Sequence, residues 1–256
     1  MKLLIRHFFI FGWQEALSCL FPVLLFAALA LSHFVTGIMP RYDFMLIACL
    51  LIQAVMYFSG FESRDELLVI CLFHLLGLAM ELFKVSVGSW SYPEFAWSKF
   101  GGVPLYSGFM YAAVASYLCQ AWRRFDLRLH NWPQHVPVRI AGAMIYLNFF
   151  TNHFIPDLRY YIALVILILF RKSWVFFHIE GKAYRMPVVL SFLLVGFFIW
   201  LAENIATFLG AWEYAYQHKS WTVVNYQKIS SWAFLVIVSY IIVAELKMAK
   251  EKNKPH

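Results

Sequence analysis

The sequence predicts an all-α integral membrane protein of about eight transmembrane helices, arranged as two parallel, pseudo-repeated halves. Three observations predict it: a composition too apolar for a water-soluble globule, apolar runs of the length a bilayer needs, and a motif that returns at a fixed distance. Of the 256 residues, 62% are hydrophobic, 20% aromatic and only 14% charged, whereas a soluble domain is about 25% charged and about half apolar. Leu17–Leu31 and Ile162–Phe170 are among the long apolar runs, which a bilayer requires and a soluble core seldom supplies.

Taken in order, residues 1–16 place Lys2 and Arg6 beside Phe8, Phe9, Ile10, Phe11 and Trp13, the composition of a helix lying in the membrane interface. Lys2, Arg6 and the apolar run ending at Ala28-Leu29-Ala30 also imitate a secretory signal. Repeat residues just after this run favour its retention as a span. Spans are expected at 17–36, 43–60, 66–87, 104–122, 137–154, 158–171, 187–209 and 229–246, each near the ~20 residues that cross the hydrocarbon. The first four form one half, residues 17–135, and the last four the other, residues 136–247. Residues 248–256 read as a disordered cytoplasmic tail.

The formal net charge is +7, but the basic residues sit in short loops between apolar runs and not on one face. They therefore read as topology signals and exclude nucleic acid as a partner. With both termini inside, the inner segments hold 15 Lys and Arg and the outer ones 6, the asymmetry expected of a membrane protein with cytoplasmic termini. Cys19, Cys49, Cys71 and Cys119 all lie in apolar stretches with no CxxC spacing, so they read as inert buried thiols. No histidine has the partner spacing of a metal box, and neither a metal nor a cofactor is expected. The lipid bilayer is the expected partner, and oligomeric state is left open.

The repeat carries most of the information. Glu81 is followed seven residues later by Gly88-Ser89-Trp90-Ser91-Tyr92, and Glu203 seven residues later by Gly210-Ala211-Trp212-Glu213-Tyr214, a constant offset of 122. With a one-residue gap, Ser107 and Ser116-Tyr117 correspond to Ser230 and Ser239-Tyr240. Pro40-Arg41-Tyr42 resembles Pro156-Asp157-Leu158-Arg159-Tyr160, and Ser32-His33-Phe34 resembles Asn152-His153-Phe154. Four spans separate the copies, so the halves share one orientation and an axis along the membrane normal relates them.

Glu81 lies about fifteen residues into its span, on the order of 22 Å along it. An ionisable side chain at that depth costs several kcal/mol unless it is paired or wet, which makes it a functional candidate. Glu203 holds the matching place. Two carboxylates in one site do not ionise independently, which divides acid from base. The structural alternative is local pairing of Glu81 with Lys84 at i+3. His74 lies two turns before Glu81 on nearly the same stripe and is a candidate proton relay, or else an interhelical hydrogen-bonding residue. Trp90, Tyr92, Trp212 and Tyr214 fit either an aromatic belt or loops capping a cavity. With Lys84 and Asn152 they are the candidate substrate-binding residues. Gly101-Gly102-Val103-Pro104 supplies flexible backbone and a helix start.

The stretch Met80-Glu81-Leu82-Phe83-Lys84, with Gly88 to Pro93, Gly101 to Tyr111 and Gln120 to Phe125, resembles the bacterial YoaT-like family, domain of unknown function 817. The likeness runs from Cys19-Leu20-Phe21-Pro22-Val23 to the second motif copy, and it implies an uncharacterised multi-pass membrane protein with no established activity. A local likeness to membrane-embedded carotenoid hydratases rests on Glu81, Gly88, Trp90, Tyr92 and Gly102 to Leu105, without the tandem second motif. It implies acid-catalysed addition to an isoprenoid double bond. The function expected is acid/base chemistry on a lipidic or isoprenoid substrate, with Glu81, Glu203 and His74 as the catalytic set. The alternatives are a proton-coupled or small-molecule transporter and a non-catalytic assembly component.

Overall fold

A computed structural model describes the backbone of residues 2–252 and the side chains of residues 3–247. Its helices and strands follow in chain order as α1 (Lys2–Ser18), α2 (Leu20–Leu31), α3 (Arg41–Phe58), α4 (Arg64–Ser86), β1 (Lys99–Phe100), β2 (Val103–Pro104), α5 (Gly108–Arg124), β3 (Arg128–His130), α6 (His135–Thr151), α7 (Arg159–Phe170), β4 (Trp174–Ile179), β5 (Lys182–Pro187), α8 (Val188–Phe208) and α9 (Lys228–Lys252). The tail expected from residue 248 lies largely outside the described residues; only the backbone of α9 is described there, to Lys252.

The protein is mostly helical, and every stretch expected to span is occupied by a helix. By length and apolar composition α3, α4, α8 and α9 are candidate membrane spans. Residues Leu3–Ser18 and Leu20–Phe34, bent by 61°, form a broken fifth, and α7 is a shorter apolar helix. Large apolar side chains on these helices face outward, including Leu51, Val55, Leu68, Leu75, Phe198 and Ile205, each more than half exposed. A helix apolar on its outer face is at home in hydrocarbon and costly in water.

Two features depart from an all-α reading. Residues 172–186, expected as an inner loop, form the hairpin β4–β5, extended by β3 into a three-stranded antiparallel sheet. Its turn is Glu180-Gly181, both at positive φ (48° and 77°), with Ile179 paired to Lys182, the backbone of a two-residue type I′ turn. Gly101-Gly102 likewise closes β1 on β2 at φ 57° and 81°. The strand Val103–Pro104 and a 3₁₀ turn at Leu105–Ser107 therefore precede α5, which starts at Gly108 and not at 104.

The chain divides into two compact units. One comprises residues 16–120 and 201–224, thus α2 to α4, most of α5, the end of α8 and both motif loops. Phe21, Tyr42, Met45, Cys49, Tyr106 and Ala112 are wholly buried at its core. Ser63 starts α4 with a capping box: its hydroxyl accepts from Glu66 N–H at 3.3 Å while the Glu66 carboxylate accepts from Ser63 N–H at 2.9 Å.

The other unit comprises residues 1–15, 121–200 and 225–256. Here α1 is held on the hairpin by an Arg6–Glu180 ion pair, by His7 Nδ1 and the Tyr184 hydroxyl at 2.6 Å, and by Phe11 against Phe125 and Phe177. Its outer face carries Leu4, Phe8, Phe9 and Trp13, exposed as an interfacial helix requires. Gly196 lets α8 approach α9 so closely that an added Cβ would fall 2.8 Å from the Ala233 backbone.

Candidate functional site

The two motif copies are built alike, and the reason begins with their glycines. Gly88 and Gly210 take φ +72° and +70°, a conformation open to glycine at little cost. Each closes its helix with the same pair of bonds: Ser89 N–H to Lys84 C=O at 2.9 Å and Gly88 N–H to Val85 C=O at 3.0 Å, then Ala211 N–H to Ala206 C=O at 3.0 Å and Gly210 N–H to Thr207 C=O at 3.1 Å. These are Schellman closures of α4 and α8. They turn the chain back along its helix, so that the tyrosine four residues after the glycine meets the glutamate seven before it. Tyr92 donates its hydroxyl to Glu81 at 2.8 Å, and Tyr214 donates to Glu203 at 2.5 Å.

Glu81 is buried and receives two further donors: Trp90 Nε1 at 2.7 Å on the same oxygen as Tyr92, and the Tyr111 hydroxyl at 2.8 Å on the other oxygen. Tyr111 comes from α5. Its ring lies against Gly77, one turn before Glu81, where a Cβ would fall 2.5 Å from ring carbons. Only a glycine admits the ring there. Both Glu81 and Glu203 act electrostatically on Tyr111, Glu81 the more strongly. Burial first, and then the glutamate's own charge, hold the Tyr92 and Tyr214 hydroxyls well above the usual tyrosine value, so both remain donors.

The two loops also bond to each other. Ser91 N–H donates to Glu213 C=O and Glu213 N–H to Ser91 C=O, both at 3.0 Å, and the two residues stand 122 apart in the chain. The Trp90 and Tyr214 rings meet edge to face at 6.1 Å. Around this bridge the Tyr106 hydroxyl donates to Ala211 C=O at 2.5 Å, and Arg41 donates to Leu209 C=O at 2.8 Å while ion-paired to Glu94. Lys99 Nζ ties the first loop by donating to the Tyr92 and Glu94 carbonyls, each at 2.6 Å.

Of the candidates expected from sequence, Glu81, Glu203, Trp90, Tyr92, Trp212 and Tyr214 all fall in this unit and in or beside the paired loops; Trp212 is buried and interacts with the Tyr214 hydroxyl. His74 packs its ring on Phe109 at 4.4 Å and against Gly108, and its Nδ1 has no hydrogen-bond partner among the described residues. Lys84 is buried, with its Nζ 5.8 Å from the Phe83 ring. Asn152 belongs to the other unit, where it caps α6 and lines a small cavity with Asn148, Arg159 and Ser231. Among the described residues no group of three His, Cys, Asp or Glu could hold a metal. Tyr111, Tyr106 and Arg41 had no assigned role. A glycine one turn before a buried glutamate is the signal that would have pointed to a ring such as Tyr111.

Fold and site together define a class: a mostly helical membrane protein in which two Gly-x-Trp-x-Tyr loops pair over two buried glutamates. The family described as protein of unknown function DUF817 matches residues 7–240, and the chain belongs to it. It is 57% identical over 244 residues, 95% of this chain and 92% of the other, to the protein called uncharacterized protein YoaT of Bacillus subtilis (strain 168). No solved structure matches. The likeness to carotenoid hydratases is not shown by these comparisons.

Proposed function

We propose that the protein is a proton-coupled transporter of the bacterial cytoplasmic membrane, with Glu81 and Glu203 as its proton-binding centre. The observation that carries this reading is the reciprocal Ser91–Glu213 bridge between residues at equivalent places in two copies, each copy also tying its tyrosine to its glutamate. A two-fold axis through the bridge relates the copies, as in carriers built from parallel repeats. On this reading eight spans cross the membrane in two halves, residues 17–135 and 136–247, and both termini are cytoplasmic.

The coupling follows from the donor chemistry. An ionised Glu81 accepts all three donors. A protonated one keeps Oε2 as an acceptor for Trp90 and Tyr92, while the new O–H on Oε1 needs the Tyr111 hydroxyl to turn from donor to acceptor. Loss of the negative charge also weakens the charge-assisted bonds from Trp90 and Tyr92, so proton binding loosens the first loop from α4, and with it the bridge to the second. Acid/base catalysis on a lipidic or isoprenoid substrate would use the same pair, with His74 as relay, but needs a substrate atom against a carboxyl oxygen. Trp90, Tyr92 and Tyr111 occupy those places at Glu81.

Purified protein in sealed vesicles with an internal pH dye tests the reading. Wild type is expected to move protons when a membrane potential is imposed, and Glu81→Gln and Glu203→Gln to stop it. Equal movement in all three defeats the proposal. Lipid mass spectrometry on hosts expressing the same three proteins tests the catalytic alternative: a lipid altered only by the wild type would replace transport with chemistry.

A further inference from the structure

We propose that Glu62, at the turn between α3 and α4, is a second proton-binding site, distinct from the Glu81 centre. This rests on the reading of the protein as proton-coupled and names where a proton enters. Glu62 is 1% exposed, and each of its oxygens accepts one side-chain donor: Ser116 Oγ from α5 on Oε1 and Gln53 Nε2 from α3 on Oε2, both at 2.5 Å. Gln120 closes the turn from α5 by donating to Phe61 C=O at 2.9 Å.

What separates Glu62 from Asp43 and Glu66 is the kind of partner, and it shares that kind with Glu81 and Glu203, whose tyrosine hydroxyls also serve as donor or acceptor. Asp43 accepts two main-chain N–H groups, from Trp97 and Ser98, at 2.8 Å. Glu66 accepts a main-chain N–H in its capping box. Such donors cannot become acceptors. A serine hydroxyl and a glutamine amide serve either way. Gln53 is nine-tenths buried, and its Oε1 has no hydrogen-bond partner among the described residues. Turning that amide over, or rotating the Ser116 hydroxyl, gives a neutral Glu62 an acceptor for its new O–H. The Glu62 carboxyl therefore has hydrogen-bond partners in both protonation states.

Its place suits an entry point. The neighbouring turn residues Ser59, Gly60 and Ser63 are exposed, so the carboxyl lies one residue's depth from the surface. The step is a transfer from hydronium to the carboxylate, leaving water and a carboxylic acid. The ionisable groups on the surrounding elements are Arg41, Tyr42, Asp43, Cys49 and Tyr57 on α3, Arg64, Asp65, Glu66, Cys71, His74, Glu81 and Lys84 on α4, and Tyr111, Tyr117, Cys119, Arg123 and Arg124 on α5. Tyr111 and Ser116 are five positions apart on α5, about 7.5 Å of rise, so one helix touches both acid sites.

The test is infrared difference spectroscopy of the full-length protein in lipid nanodiscs between about pH 4 and pH 9, beside proton flux in vesicles. Wild type is expected to show a buried carboxylic acid C=O band that Glu62→Gln removes and Glu81→Gln leaves in place, with flux in Glu62→Gln down about tenfold or more. Ser116→Ala keeps the carboxyl and should shift that band, which keeps the test open if Glu62→Gln does not fold. Loss of no band in Glu62→Gln and no shift in Ser116→Ala, while Glu81→Gln still acts on flux, overturns this site alone. Loss of the Glu62 band with no flux in any protein leaves the site standing and overturns the transport reading.

Discussion

The two Gly-x-Trp-x-Tyr copies share their frame and differ in what reaches their glutamates. In both, a left-handed glycine stops the helix and a tyrosine returns to the glutamate. At Glu81 a further phenol arrives from α5, Tyr111, seated in the gap left by Gly77. At the corresponding places of the second copy the sequence has Phe234, which has no hydroxyl, and Ile199, which has no room. The shared frame is thus fitted differently in the two copies, by Trp90 within the motif, which reaches Glu81 where Trp212 meets Tyr214, and by Tyr111 from outside it. On the proposed transport reading, two inequivalent carboxyls suit directional exchange better than a symmetric pair.

That comparison can be broken at Gly77 first. Gly77→Val drives a side chain into the Tyr111 ring and is expected to cost about 3 kcal/mol, at the upper end of overpacking effects, seen as a lower Tm in detergent. Ile199→Val, at the matching place, should cost about 1 kcal/mol; equal losses would remove the asymmetry. Next comes Tyr111→Phe, which leaves one Glu81 oxygen short of its donor and should cost about 2 kcal/mol. No change in Tm there would mean that the third donor is not used.

The shared part of the frame is tested at alkaline pH. The Tyr92 and Tyr214 hydroxyls are held well above 10.0 in the folded protein, so the unfolded chain gives up those protons first. Their contribution is complete below about pH 10 and falls as pH rises beyond it. Tyr92→Phe and Tyr214→Phe should each flatten that fall, and by similar amounts; a response from only one would show the copies to be less alike than their geometry.

The smallest effect is expected outside the motif. Burial pushes the Asp157 carboxyl up, but Asn148 and both main-chain and side-chain bonds from Arg159 outweigh it, and the net direction is below 3.8. Its contribution is present above about pH 4 and lost as pH falls through the folded value. Asp157→Asn should shift the acid unfolding midpoint slightly and leave the alkaline side alone.

Helix placement was legible in the sequence because long apolar runs leave few alternatives, and the expected stretches coincide with α2 to α9. The hairpin was hidden, although Trp174–Ile179 is aromatic and β-branched and Glu180-Gly181 suits a type I′ turn, because Arg171, Lys172, Lys182 and Arg185 give the stretch the charge of an inner loop. At the site, the fixed offset showed which residues belong together, but Glu81 meets Tyr111 thirty positions away with no shared pattern. Glu62 was invisible for a plainer reason. It lies at a turn, where a carboxylate is normally solvated, and only the packing of α3 and α5 over it makes it buried.

The bridge between Ser91 and Glu213 uses main-chain atoms alone. Natural selection can therefore see the bridge only through backbone shape, while the side chains at those two places answer to other contacts, Glu213 to His218 at 2.6 Å. They have already diverged, to a small hydroxyl in one copy and an acid in the other, while the tryptophan and tyrosine on either side have not. In any homologue, variation confined to that middle position is the expected mark of a joint inherited as geometry and not as chemistry.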